Sequence, residues 1–524
     1  MNNREEKSDM ARQFVCSKTE PIVQTAKGKL RGFLLDGTYT FHGIKYAKAK
    51  RFKMPEEIEP WEGVRDALSY GFVCPLLKGE IPWGEIMIPH RYWPVSEDCL
   101  SLNIWTQSIR PDAKKPVMVW FHGGGYTTGS SIEHVAYDGE NMSKFGDVVV
   151  VTVNHRLNIL GYLNLSAFGE EYKNSANAGN ADLVSALEWI HKNIVNFGGD
   201  PENVTIFGQS GGGMKVWNLM QTPSADGLFH KAIVESGCAD GSIADSAAKD
   251  DGTQIVNALL KELGFDSVKA LETVPYYRLA EAYNKVSPAL EKEGAYVGCS
   301  PIENDFYLGN PCSVGFTEHA KTIPVLIGTV FGELAFGPAV SKKYELEEKD
   351  IRPMIEKKYG KASDQLIDLF KRTYPEKKLT DLLVLDSVFR APTKEFIKAK
   401  SAHLESSVFS FLFAYEFPYD GGKPAWHCSE IPYVFHNADK VPVNNTDSSD
   451  RLQDQIFFAF INFARSGNPN HPGLPTWPAC KPGDEATMVF DRNCEVRHNF
   501  DNELIALHAE VSKSLPEETG PVLH

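Results

Sequence analysis

One serine stands out for what its neighbours permit. In TIFGQSGGGM, Thr205 to Met214, the residues Gly208, Ser210 and Gly212 fit the pattern G-x-S-x-G. A serine hydroxyl is a weak nucleophile. It becomes useful when a base takes its proton, an acid orients the base, and hydrogen-bond donors await the developing oxyanion. Three fixed positions recur by chance in a chain with 42 glycines, so the surroundings decide. NVTIF reads as a short buried strand and MKVWNLM as a helix, the strand–turn–helix setting that exposes a serine Oγ. Glycines on either side admit a strained backbone and close packing of neighbouring chain.

The partners are sought along the chain in the order serine, acid, base. Glu333 follows the apolar run PVLIGTV, and His427 follows VFSFLFAYEF. Upstream, VWFHGGGYTTGSS puts Gly123, Gly124 and Gly125 directly after another run. Without side chains, their N–H groups can approach a ligand oxygen, which makes this a candidate oxyanion loop. All three segments lie beyond strand ends, where ligands bind in open parallel sheets.

The elements that must position these residues are visible as alternation. PVMVWFH, DVVVVTVNHR, VTIFG, KAIVESG, PVLIGTV and VFSFLFAYEF are nearly continuously apolar, as strands buried on both faces are. Between them, Leu183, Leu187, Ile190 and Ile194 recur at helical spacing before Gly198 and Gly199. Leu452, Ile456, Phe460 and Phe463 do the same before Gly467 and Pro469. The pattern predicts an α/β architecture with a mostly parallel sheet flanked by helices. Two polar, helix-prone blocks, about 240–300 and 340–405, are expected as insertions capping one end of the sheet. The expected organisation is an N-terminal extension over 1–19, a single catalytic domain over 20–515, and a tail over 516–524.

Composition bounds the function. Hydrophobic residues at 42% supply a large core, and a formal charge of -15 disfavours nucleic acid as a partner. The longest apolar runs fall far short of the roughly 20 residues a membrane span needs. The first twenty residues carry no apolar signal core, so a cytoplasmic location is expected. Nine scattered cysteines with no C-x-x-C pair fit reduced thiols rather than a disulfide scaffold, and no metal ribbon is expected.

Taken together, these motifs resemble the type-B carboxylesterases of the carboxylesterase and cholinesterase family. The likeness runs from about residue 20 to 510. It includes KGKLRGF, FHGIKYAKA, SEDCLSLNIW, HGGGYTTGS, NHRLNILGYL, NFGGDPENVTIFGQSGGG, GLFHKAIVESG and HCSEIPYVF. The resemblance implies the α/β-hydrolase fold and ester hydrolysis through an acyl-enzyme, with no metal or organic cofactor. It assigns Ser210 as nucleophile, His427 as general base and Glu333 as acid. Gly124, Gly125 and Gly211 become the oxyanion donors, and Ser236 a serine supporting acid and base. Cys74 and Cys99 match a family disulfide that would form only if oxidised.

The departures are specific. The family usually has glutamate before the serine and alanine after it, where this chain has Gln209 and Gly211; Asp182 is followed by Leu183 rather than glutamine. An uncharged Gln209 points to neutral, fairly apolar esters as small-molecule substrates. The rival readings are an amidase or lactone-opening hydrolase with the same machinery, and a non-catalytic binding protein on the same fold. His122 is expected to pack beneath the glycine loop without titrating in catalysis. Trp83, Tyr92 and Trp93, in GEIPWGEIMIPHRYW, are read as an irregular surface loop or part of an apolar substrate wall.

Overall fold

The computed structural model describes residues 13–78, 85–238, 250–338, 340, 342–447 and 449–515. Trp83, part of the 240–300 block, most of the N-terminal extension and the 516–524 tail lie outside them.

Twelve strands form one sheet. In chain order they are β1 (Phe14–Val15), β2 (Phe33–Leu35), β3 (Thr38–Lys45), β4 (Ser101–Thr106), β5 (Lys115–Phe121), β6 (Val149–Val153), β7 (Gly199–Gln209), β8 (Lys231–Glu235), β9 (Val325–Val330), β10 (Val408–Phe413), β11 (Ala486–Phe490) and β12 (Glu495–His498). Their spatial order is β1-β2-β3-β4-β6-β5-β7-β8-β9-β10-β11-β12. Strands β6 through β11 in that order pair in parallel, and the edges are antiparallel.

Alternation along each strand divides the core. Val117, Val119, Val151 and Ile206 face one side and pack with Leu183, Leu187 and Ile190 of helix α1 (Ala178–Asn193). Met118, Trp120, Val150 and Phe207 face the other and pack with Leu452, Ile456, Phe460 and Phe463. These belong to helix α4 (Ser449–Ser466). Both faces are therefore covered, as a parallel sheet requires. Helix α2 (Gly211–Met220) starts on the residue after Ser210, so all three glycines lie in its first turn. Helix α3 (Arg390–Ser401) covers strands β9 and β10.

Helix α1 is fastened by charge. Arg156 Nε and Nη2 grip Asp182 at 2.8 and 2.7 Å, and the Arg156 backbone N–H also donates to that carboxylate. The other guanidinium nitrogen donates to the carbonyls of Lys50 and Lys53. A buried pair holds when its remaining donors are satisfied in this way.

Candidate active site

The turn at Ser210 is strained. Its backbone sits at φ 57°, ψ −127°, outside the regions an L-residue favours. Hydrogen bonds hold it there: Ser210 N–H donates to Glu235 O at 2.8 Å, and Met214 N–H to Ser210 O at 3.0 Å. The surrounding glycines are required by contact. A Cβ on Gly208 would run into Gly212 and the Phe121 carbonyl. One on Gly212 would strike Phe121, and one on Gly213 would meet Gly237. Strand β7, the end of β5 and helix α2 thus meet backbone to backbone.

The glycine loop after β5 packs onto that turn. A Cβ on Gly123 would lie 3.4 Å from Ser210 Cβ. Gly124 and Gly125 have φ of 82° and 59°, and the Gly124 carbonyl accepts from Thr127 and Thr128 N–H. A Cβ on Gly211 would collide with the N, Cα and O of Gly125. The structure therefore brings Gly124, Gly125 and Gly211 together beside Ser210, and the glycine in place of the family's alanine lets the loop approach this closely.

The acid and the imidazole form a tight pair. His427 Nδ1 and Glu333 Oε2 are 2.5 Å apart. The other oxygen of Glu333 accepts from Ser236 Oγ at 2.6 Å and from Val330 N–H at 2.9 Å. The loops that carry the pair are stitched by backbone, His427 N–H to Glu333 O at 3.1 Å and Gly332 N–H to Ala425 O at 3.0 Å. Gln209 lies over the imidazole: its Nε2 is 3.2 Å from Nδ1 and 3.3 Å from Nε2. Near-equal distances to both nitrogens put the amide over the ring rather than in its plane. The Cys428 thiol donates to Gln209 Oε1 at 3.2 Å.

Several participants gave no signal in the sequence. Phe389 stacks on His427 with centroids 5.2 Å apart and planes at 13°. It is placed by Asp386, whose carboxylate accepts from the N–H groups of Val388, Phe389 and Arg390. Burial and the nearby Glu333 charge push the Asp386 carboxyl up to about 7. Glu235 and Glu430 are buried carboxyls without hydrogen-bond partners. Burial raises Glu235 to about 8, and burial together with neighbouring Glu235 and Glu333 drives Glu430 well above the carboxylate range. Lys215, fully buried on α2, donates to the His122 carbonyl at 2.9 Å, and burial lowers it to about 7. Only an unmatched lysine in an apolar helix hinted at this.

The remaining predicted residues are placed as follows. His122 is buried beneath the loop, its Nδ1 2.9 Å from Gly123 O, and burial lowers it to about 3. Cys74 and Cys99 are buried free thiols. The Cys99 thiol is hydrogen-bonded to Cys74 and pushed well up by that bond and by burial. Tyr92 and Trp93 are exposed and line a groove of about 580 Å³ together with Gly129, Ser130 and Glu133, a groove that Ser210 does not line. Among the described residues, His90, Glu133 and His134 form a trio able to hold a metal; His134 is close enough to His427 for their charges to interact.

A mostly parallel sheet carrying these residues on its strand-end loops is the α/β-hydrolase fold, and the solved structures that match it are carboxylesterases. The chain belongs to the carboxylesterase family, whose model matches residues 19–507, and it is a carboxylic ester hydrolase. An esterase from anaerobic Clostridium hathewayi that can hydrolyse aliphatic aromatic polyesters is 56% identical. The match spans 96% of this chain and 100% of that one, with a TM-score of 0.92. The para-nitrobenzyl esterase of Bacillus subtilis (strain 168) is 34% identical over 93% of this chain and 98% of its own length. The phenmedipham hydrolase of Pseudarthrobacter oxydans is 31% identical over 92% and 97%.

Two variants test the packing. Gly211→Ala forces its methyl against the Gly125 backbone; under the proposal that the Gly211 N–H receives the oxyanion, kcat should fall roughly 100-fold. Unchanged kcat would mean that the loop yields without loss. Lys215→Met tests the buried ammonium. Its folded-state pKa lies below its unfolded value, so between about 7 and the ordinary lysine range the unfolded chain binds more protons. Stability from this residue therefore rises with pH across that window, by up to about 1.4 kcal/mol per pH unit, and is lost as pH falls toward 7. The Tm of Lys215→Met relative to the parent should be highest at neutral pH and fall as pH rises toward 10. A constant difference would contradict a lowered Lys215.

Proposed function

We propose that this carboxylic ester hydrolase works through Ser210, His427 and Glu333, with the N–H groups of Gly124, Gly125 and Gly211 as the oxyanion hole. One observation carries the reading. A strained serine, 9% exposed, sits at a strand–helix turn beside a glycine loop, one residue from a glutamine that touches the imidazole of a 2.5 Å His–Glu pair.

The chemistry follows from these positions. Neutral His427 takes the Ser210 proton as Oγ attacks the ester carbonyl. Glu333 fixes the imidazole tautomer and stabilises the imidazolium. Ser236 and the Val330 N–H hold that carboxylate in place, so it is oriented before substrate arrives. The three glycine amides receive the oxyanion, each such donor being worth roughly 3 kcal/mol of barrier. His427 then protonates the leaving alcohol, and water repeats the cycle on the acyl-enzyme.

For substrate, the uncharged Gln209 over the imidazole favours neutral, fairly apolar esters over quaternary ammonium esters. The 56% identical esterase acts on aliphatic aromatic polyesters, which makes small esters of aromatic and aliphatic acids the first substrates to try.

Ser210→Ala should keep the parent's melting behaviour and lose ester turnover by roughly 10⁶-fold. A serine-directed organophosphate should add to Ser210; an adduct mapped elsewhere by mass spectrometry would reject the assignment. Gln209→Glu places a carboxylate against the imidazole, favouring imidazolium. It should move the acid limb of the kcat/KM profile to higher pH and shift selectivity toward a cationic ester over its neutral isostere. A variant that moves neither would sink this account of Gln209.

A further inference from the structure

His90, Glu133 and His134 lie in no part of the proposed mechanism, yet their ligand atoms all lie within 4.8 Å of one another. His90 Nε2 is 3.4 Å and His134 Nε2 3.9 Å from the same oxygen, Glu133 Oε1. A tetrahedral zinc ion with bonds of about 2.0–2.1 Å holds its ligand atoms roughly 3.3 Å apart. Two of the trio's three edges, 3.4 and 3.9 Å, therefore lie close to that length, and the third does not exceed 4.8 Å.

The surroundings are those of a built site. The other His90 nitrogen, Nδ1, lies 3.3 Å from Glu85 Oε1, so a carboxylate stands beside the imidazole where one commonly supports a metal-binding histidine. Glu85 is itself fixed, accepting from the His90 N–H at 3.0 Å and from Tyr92 Oη–H at 2.6 Å. The second oxygen of Glu133 accepts from Ser130 N–H at 3.3 Å. His134 stacks on Tyr137 with centroids 4.5 Å apart. Backbone pairing joins His90 to His134. Glu133 lines the 580 Å³ groove, which gives an ion an entry path and leaves room for a water as fourth ligand. Two imidazoles and one carboxylate are the donor set of an open zinc-type site, and imidazole also suits cobalt, nickel and copper.

We propose that His90, Glu133 and His134 bind one divalent transition-metal ion of the zinc class, clamping the 85–91 segment to the base of the glycine loop. Glu133 and His134 follow directly on that loop, and a Cβ on Gly129 would be wedged between Glu133 and the Gly123 carbonyl. The ion would act on the loop's rigidity and not on the ester.

The test uses the full chain stripped with EDTA and titrated with Zn²⁺ by calorimetry, with melting followed in parallel. The expected result is one ion per chain and a Tm that climbs with Zn²⁺ concentration. His90→Ala/His134→Ala should abolish both. Glu85→Gln, which leaves the three ligands intact, should weaken binding 10- to 100-fold. Because the double variant can misfold, Co²⁺ binding to the parent provides an independent reading. Nitrogen- and oxygen-ligated cobalt gives d–d bands without thiolate charge transfer, and Zn²⁺ should displace it. Absence of binding at millimolar Zn²⁺, retention of the ion by a folded double variant, a thiolate charge-transfer band, or parental affinity in Glu85→Gln would each overturn the proposal.

Discussion

Everything at this site depends on one backbone turn holding φ 57°, ψ −127° at Ser210. The strain costs of order 1–3 kcal/mol and persists only where the surroundings over-determine it. Here they do so through contacts that leave no room for a single methyl. Gly208, Gly211, Gly212 and Gly213 each touch the backbone of another segment: the end of β5, the glycine loop, or the turn after β8. The Ser210 N–H is tied to β8 through Glu235 O. The parallel sheet, in turn, exists to bring those three strand ends level. Its registers place Gly208 opposite both Phe121 and Val234, so the close approach follows from strand pairing.

A second constraint is the placement of negative charge. Four buried carboxyls crowd the region: Glu333, Glu235, Glu430 and Asp386. Glu333 accepts from a hydroxyl and a backbone N–H and is paired with the imidazole. Glu235 and Glu430 have no such donors and are held toward the neutral form by burial. Asp386 accepts from three backbone N–H groups, and burial with the nearby Glu333 still raises it to about 7. A glutamine at 209 fits this economy of charge, because a glutamate there would add a fifth carboxyl to the same dry region.

Much of this was legible in the sequence because burial leaves a compositional trace. The six apolar runs all correspond to parallel strands, since a strand covered on both faces cannot alternate. The two helices with clear 3.6 periodicity run against opposite faces. The antiparallel edge was harder to read. β3 mixes polar and apolar residues and is broken by an irregularity between Phe41 and Ile44, and β1 and β2 are too short to show a period. At the candidate site, Ser210, Glu333 and His427 were named from chain order and strand ends, and the structure pairs Glu333 with His427. Phe389, Asp386, Lys215 and Cys428 were not, because a stacked ring, a buried ammonium and a thiol contact are made by tertiary packing and leave no periodic pattern in the sequence. The likewise distant His90 and His134 have no metal-ligand spacing to reveal them.

The two departures from the family pattern next to Ser210 act on different parts of one geometry. Gly211 removes a methyl, and the glycine loop fills the space, with the Gly125 backbone against the helix start. Gln209 removes a charge, and its amide lies over the imidazole while its carbonyl takes the Cys428 thiol. The first change sets how closely the glycine loop approaches the helix start; the second sets the charge beside the imidazole. Neither affects the Glu333–His427 contact, which rests on separate loops joined by their own backbone hydrogen bonds. The residues flanking the serine can therefore differ from the family pattern while backbone hydrogen bonds between the two loops keep Glu333 and His427 aligned.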